Sequence, residues 1–182
     1  MKKTGLRLAT ILLLITLMGC NAPIDERESV LDGTILQTYS TQWFDFTVIS
    51  VRTSKQIDQY LPYADAYQFL IVTILEKNTY NEAIPMSCWD FCLEAQALKE
   101  EDRWARSDFE GDPTIMPTQF ILEPGESIAY DLIFCIPENL PSVGISYSEI
   151  DEKNQEGATF IVNFDVPPLQ FMGHFPRSQK LL

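Results

Sequence analysis

Four cysteines carry the most reactive side chains of this 182-residue chain: Cys20, Cys88, Cys92 and Cys135. Thiols can bridge, ligate soft metals or act as nucleophiles. Cys88 and Cys92 lie four positions apart. On one strand their Cα atoms would be about 13 Å apart, beyond the roughly 4.4–6.8 Å that a disulfide allows. A bridge would therefore join Cys135 to Cys88 or Cys92 and leave one thiol over. The alternative is three free thiols packed as small hydrophobes. Met86, Cys88 and Cys92 also offer soft sulfur suited to copper(I) or zinc. Their spacing is not CxxC, no second pair follows, and the single histidine, His174, lies in the C-terminal tail. Neither a metal nor a cofactor is expected.

Acid–base chemistry finds little support. Glu100-Glu101-Asp102 and Asp151-Glu152 read as solvated turns, without the ligand spacing of a calcium loop. A Ser-His-Asp site would need His174, and no G-x-S-x-G occurs. The expectation is a protein that is not an enzyme. Binding is better served, because Trp43, Trp89, Trp104, Tyr60, Tyr63 and Tyr67 are residue types that dominate interfaces. Trp43 and Trp89 are expected in the core. Trp104, flanked by Arg103 and Arg106, is the tryptophan best placed to face outward, and these three residues form the candidate binding surface.

The elements that position these residues begin with an N-terminal segment. Lys2, Lys3 and Arg7 precede the apolar run Leu8 to Leu17, and Leu17-Met18-Gly19-Cys20 follows. This is the pattern of a secretory signal, too short to span a bilayer. Its last four residues resemble the lipobox of bacterial lipoproteins. That resemblance implies cleavage before Cys20 and diacylglycerol on its sulfur, which would anchor the protein to a cell or outer membrane on an extracytoplasmic side. Residues 1–19 are read as signal peptide and 20–41 as a flexible tether, whose end is compatible with an edge strand. The remainder holds one domain at 42–168 and a tail at 169–182. Removing the signal leaves 10 Lys+Arg against 26 Asp+Glu, formally −16. Such a surface repels phosphate backbones, so no nucleic-acid partner is expected.

From Trp43 onward, short β-branched and aromatic runs alternate with turn residues. Trp43–Val51, Tyr67–Glu76, Met86–Ala97, Ser127–Ile136, Val143–Ile150 and Ala158–Val166 read as strands, with a further short one near Arg103–Arg106. The run at 67–76 is apolar on both faces, as a covered central strand would be. Pro124-Gly125 marks a tight turn. About seven to eight strands without a long amphipathic helix indicate an all-β sandwich.

Three stretches carry a family resemblance: Phe46-Thr47-Val48, FLIVTILEKN at 69–78, and Leu122-Glu123-Pro124-Gly125-Glu126 followed by DLIFCIP at 131–137 and VGISYS at 143–148. The chain resembles the telokin-like, immunoglobulin-like domain of unknown function that recurs in bacterial lipoproteins and secreted proteins. The resemblance implies an immunoglobulin-like β-sandwich and brings no catalytic residues. The chain departs from the pattern at 88–106, where Cys88, Cys92 and Trp89 sit in an unusually charged hairpin. The expected function is a lipid-anchored envelope module that binds a protein or a small molecule, or has a structural role. The alternative is a lipoprotein that handles a small ligand or a soft metal through the 86–106 hairpin.

Overall fold

Alternating aromatic and β-branched residues form ten strands among the described residues. They are β1 (Val30–Gly33), β2 (Thr38–Ser40), β3 (Phe44–Ser54), β4 (Tyr67–Asn78), β5 (Ile84–Met86), β6 (Phe91–Glu94), β7 (Phe120–Leu122), β8 (Ser127–Pro137), β9 (Ser142–Ile150) and β10 (Glu156–Asp165). The computed structural model describes residues 30–109, 112–150 and 156–169. The signal peptide, Cys20, His174 and most of the tail lie outside the described residues. One four-stranded sheet has the order β1-β10-β9-β6 and the other β2-β3-β4-β8, while β5 and β7 form a small two-stranded ribbon. The two four-stranded sheets make the expected all-β sandwich.

Residue parity builds the core. Along β4, Leu70, Val72 and Ile74 face inward and meet Phe46 and Val48 of β3 and Leu132, Phe134 and Ile136 of β8. The first sheet supplies Phe91, Leu93, Val143, Ile145, Phe160 and Val162. The opposite face of β4 is covered too. Phe69 and Ile71, with Ile133, pack under Phe109, Ile57, Tyr60 and Ile115 from two long connections. This second cluster explains why β4 is apolar on both faces.

The Pro124-Gly125 turn joins β7 to β8. Gly125 takes φ 76° and the Glu126 N–H bonds the Glu123 carbonyl at 2.9 Å, the geometry of a type II turn. Asn78, buried at the end of β4, donates from Nδ2 to the carbonyls of Glu82 and Leu122 and accepts from the Tyr80 N–H. It thereby fixes the neighbouring loops.

Three sequence expectations need correction. The folded domain already includes Val30–Gly33 and Thr38–Ser40, ahead of residue 42. Strand β1 pairs in parallel with β10, β2 pairs antiparallel with β3, and buried Tyr39 packs against Phe46 and Phe160. The tether therefore supplies an edge strand to each sheet. Residues 86–97 are not one strand. Ser87 to Asp90 form a turn in which the Ser87 N–H bonds Asp90 Oδ2 and the Asp90 N–H bonds the Ser87 carbonyl, and β6 begins only at Phe91. Trp89 sits on that turn and is exposed rather than in the core, while Trp43 is half-buried edge-on to Tyr80. Among the described residues the strand count also rises to ten, because β1, β2, β5 and β7 are three or four residues long and depend on their partners.

Candidate functional site

Strands β6 and β8 end the two sheets on the same edge of the sandwich. The segment after β6 crosses this edge. Glu100–Arg103 makes one 3-10 turn and the chain then runs extended. Trp104 bridges to Cys92 of β6, and the Arg106 N–H bonds the Ile133 carbonyl of β8 at 2.7 Å. Farther along β8, Met116 N–H and the Thr114 carbonyl pair with Asp131. Two pieces of connection thus cover the open edge of β8, which would otherwise invite foreign strands.

The crossing forms a groove of about 440 Å³ lined by Tyr63, Glu101, Asp102, Trp104, Arg106 and Cys135. Its floor is the carboxylate of Asp102, which is 3% exposed. The Tyr63 hydroxyl donates to one carboxylate oxygen and the Tyr67 hydroxyl donates to the other at 3.2 Å. Desolvation, then the bond to Asp102, raises the Tyr63 phenol well above its ordinary range and keeps it a donor. The Tyr63 and Tyr67 rings pack with centroids 4.6 Å apart. Tyr63 and Trp104 remain 55% and 41% exposed and form the rim. Arg106 forms a two-point pair with Asp108, and its guanidinium carbon lies 5.9 Å from the Phe69 ring centroid and 5.7 Å from that of Phe109.

Of the three residues in the expected binding surface, the fold brings Trp104 and Arg106 to one groove and takes Arg103 elsewhere. Arg103 folds back onto β6, donating to the Leu93 carbonyl at 2.9 Å and pairing with Glu94. Asp102 belongs to the acidic run that reads as a solvated turn, yet it is buried. Sequence reasoning named Tyr63 and Tyr67 only as aromatics and did not link them to this carboxylate.

Cys88, Cys92 and Cys135 occupy three separate environments and all three are free. Cys88 is in the inter-sheet core. Cys92 alternates with inward Phe91 and Leu93, so its thiol faces out of the first sheet toward Ser146 and Glu94. Cys135 alternates with inward Phe134 and Ile136, so it faces out of the second sheet into the groove. Of the two arrangements the sequence leaves open, a bridge from Cys135 to Cys88 or Cys92 or three free thiols, the structure has the second. Pleat parity directs Cys135 and Cys92 to opposite outer surfaces of a sandwich about 10 Å thick. The turn at Ser87–Asp90 breaks the alternation and separates Met86 and Cys88, both in the core, from Cys92, so the three sulfurs do not converge. Burial raises all three thiols, so none is an activated thiolate.

A second groove of about 590 Å³ lies at the end of the sandwich between residues 94–97, 140–144 and 163–165. It has no rim of exposed aromatics. Sequence reading also missed Glu76, which is fully buried with neither carboxyl oxygen hydrogen-bonded. Its signal was present, because Glu76 falls two residues after Ile74 on the inward row of β4.

No family model matches the chain, and no curated protein matches it. Among solved structures it is similar to ycdA, described as a candidate lipoprotein of Bacillus subtilis, with 16% identity and a TM-score of 0.54. The match covers 71% of this chain and 38% of that one, so the chain spans well under half of that protein's length. Looser overlays are found with yjhA of B. subtilis (16% identity, TM-score 0.49, covering 73% and 99% of the two chains) and with an uncharacterised β-sandwich protein of Clostridium difficile (11%, 0.42, 78% and 98%). At these identities the likeness to ycdA shows a shared fold, the all-β sandwich, and nothing about chemistry.

Proposed function

We propose that this chain is a lipid-anchored, extracytoplasmic binding module of the telokin-like, immunoglobulin-like kind, using the groove beside β8 as its contact. The Leu17–Cys20 segment supports the anchor. So does the shared fold of ycdA, a protein described as a candidate lipoprotein. The observation that carries binding over catalysis is the makeup of the groove. Two exposed aromatic side chains stand over a buried carboxylate that tyrosine hydroxyls hold in place, and Arg106 is already paired. A buried, protonated thiol without an adjacent base is a poor nucleophile.

Detergent phase partition of the full chain expressed in a bacterial host tests the anchor. Wild type should enter the detergent phase and Cys20→Ala the aqueous phase; equal partition of both would contradict anchoring. Turnover of model ester, glycoside or phosphoester substrates, abolished by Asp102→Asn in a folded protein, would contradict the non-enzymatic reading.

A further inference from the structure

We propose that the groove recognises a small organic cation through its ammonium head, an inference that rests on the binding-module reading above. Asp102 supplies the first reason. It is a buried acidic side chain, and among the described residues no Lys or Arg forms an ion pair with it. Its two partners are phenols, which are neutral donors. They fix the carboxylate in place and leave its negative charge uncompensated. A buried charge without a counter-charge is costly, and a cation entering the groove would relieve that cost.

The rim supplies the second reason. Tyr63 and Trp104 present π-systems beside this charge. Aromatic faces attract cations, and a ring set with a carboxylate is the arrangement that recognises alkylated ammonium groups. Arg106 does not cancel the site, because Asp108 balances its charge and its guanidinium is engaged with Phe69 and Phe109. Glu101, exposed on the same rim, is likewise paired, with Lys99 at 3.9 Å, which leaves Asp102 as the charge the groove offers. The excess of 26 Asp+Glu over 13 Lys+Arg across the whole chain draws cations toward its surface.

The chemistry selects an organic cation over a bare metal ion. Hard divalent ions take six or more oxygens, and no group of three His, Cys, Asp or Glu side chains among the described residues is placed to hold one. The groove volume of about 440 Å³ falls in the range of small-molecule sites.

The test uses the full chain purified in dodecyl maltoside, with choline and tetramethylammonium titrated by tryptophan emission and calorimetry. The control is 3,3-dimethylbutan-1-ol, which has the shape of choline without its charge. Choline should saturate, and the neutral isostere should bind at least about tenfold more weakly. Trp104→Ala, a rim substitution that leaves the core intact, should weaken choline by about tenfold, and so should Asp102→Asn if thermal unfolding shows it folded. Glycerophosphocholine binding as well as choline would assign the site to headgroup-type ligands, and choline binding alone to a free solute; both sustain ammonium recognition. Equal binding of the neutral isostere would overturn this inference and leave the binding module standing. Absence of saturation by roughly 50 mM for both cations would also overturn it. Any ligand found in the groove whose binding ignores Trp104→Ala would end both readings.

Discussion

Asp102 and Glu76 are both buried acidic side chains, and they stand in opposite circumstances. Asp102 lies at the edge of the sandwich with each oxygen bonded to a tyrosine hydroxyl, and its groove opens to solvent. Glu76 lies between the sheets, paired in register with Phe46 and Ile128, and neither of its oxygens has a partner. Burial, and then the charge of Asp90, push its carboxyl up to about 8. Tyr147 is raised by its own burial and then by Asp90, Glu149 and Glu76, and Tyr130 by its burial and then by Glu126 and Glu76. No cation is among these groups. Equal depth therefore does not mean equal use. A carboxylate that is oriented and reachable can recognise a ligand, whereas one enclosed without partners makes the fold itself sensitive to pH.

The largest expected effect comes from Glu76. Its folded pKa is raised above the ordinary 4.5, so the native state holds a proton that the unfolded chain releases. The stability it contributes is fully present below about pH 4.5 and is lost as the pH rises toward about 8. At about 1.4 kcal/mol per pH unit, the loss between pH 4.5 and 7 is about 3 kcal/mol. Urea unfolding of wild type and Glu76→Gln across this range should show similar stability at the acid end and a variant more stable by that amount at neutrality. Parallel curves would mean that Glu76 has a partner after all.

Next is Asp102→Ala, which strands two hydroxyls and should lower stability by about 2 kcal/mol, read by urea unfolding at pH 7. Tyr67→Phe removes one of the two bonds and should cost about 1 kcal/mol. If it cost as much as Asp102→Ala, the carboxylate would depend on a single donor. The smallest effect is that of Trp104→Ala on unfolding, within about 0.5 kcal/mol for an exposed side chain, although the same change should impair choline binding.

Much of the fold was legible because strand pattern is local. Strand β4 and the Pro124-Gly125 turn follow from a β-branched run apolar on both faces and from the one residue that accepts φ 76°. The misread parts depend on distant partners. Val30–Gly33 is polar and short, and it is a strand because β10 lies beside it. The run at 86–97 alternates by residue type, but hydrogen bonds between Ser87 and Asp90 break it into a turn. The site was legible in part. Trp104 stood out through its flanking arginines, yet Arg103 prefers the Leu93 carbonyl and Glu94. Asp102 could not be picked from Glu100-Glu101-Asp102, because the tyrosines that bury it come from positions 63 and 67, more than thirty residues earlier. Glu76 was readable by parity alone.

The most direct test is to map where a cation binds. Backbone amide shifts of the isotope-labelled full chain in detergent would be followed as choline is added. The account predicts saturable shifts confined to Tyr63–Tyr67, Asp102–Arg106 and the adjoining residues of β8 around Cys135. Shifts centred on Asp90, Tyr147 and Glu149 near Glu76, or no saturable shifts anywhere, would contradict it.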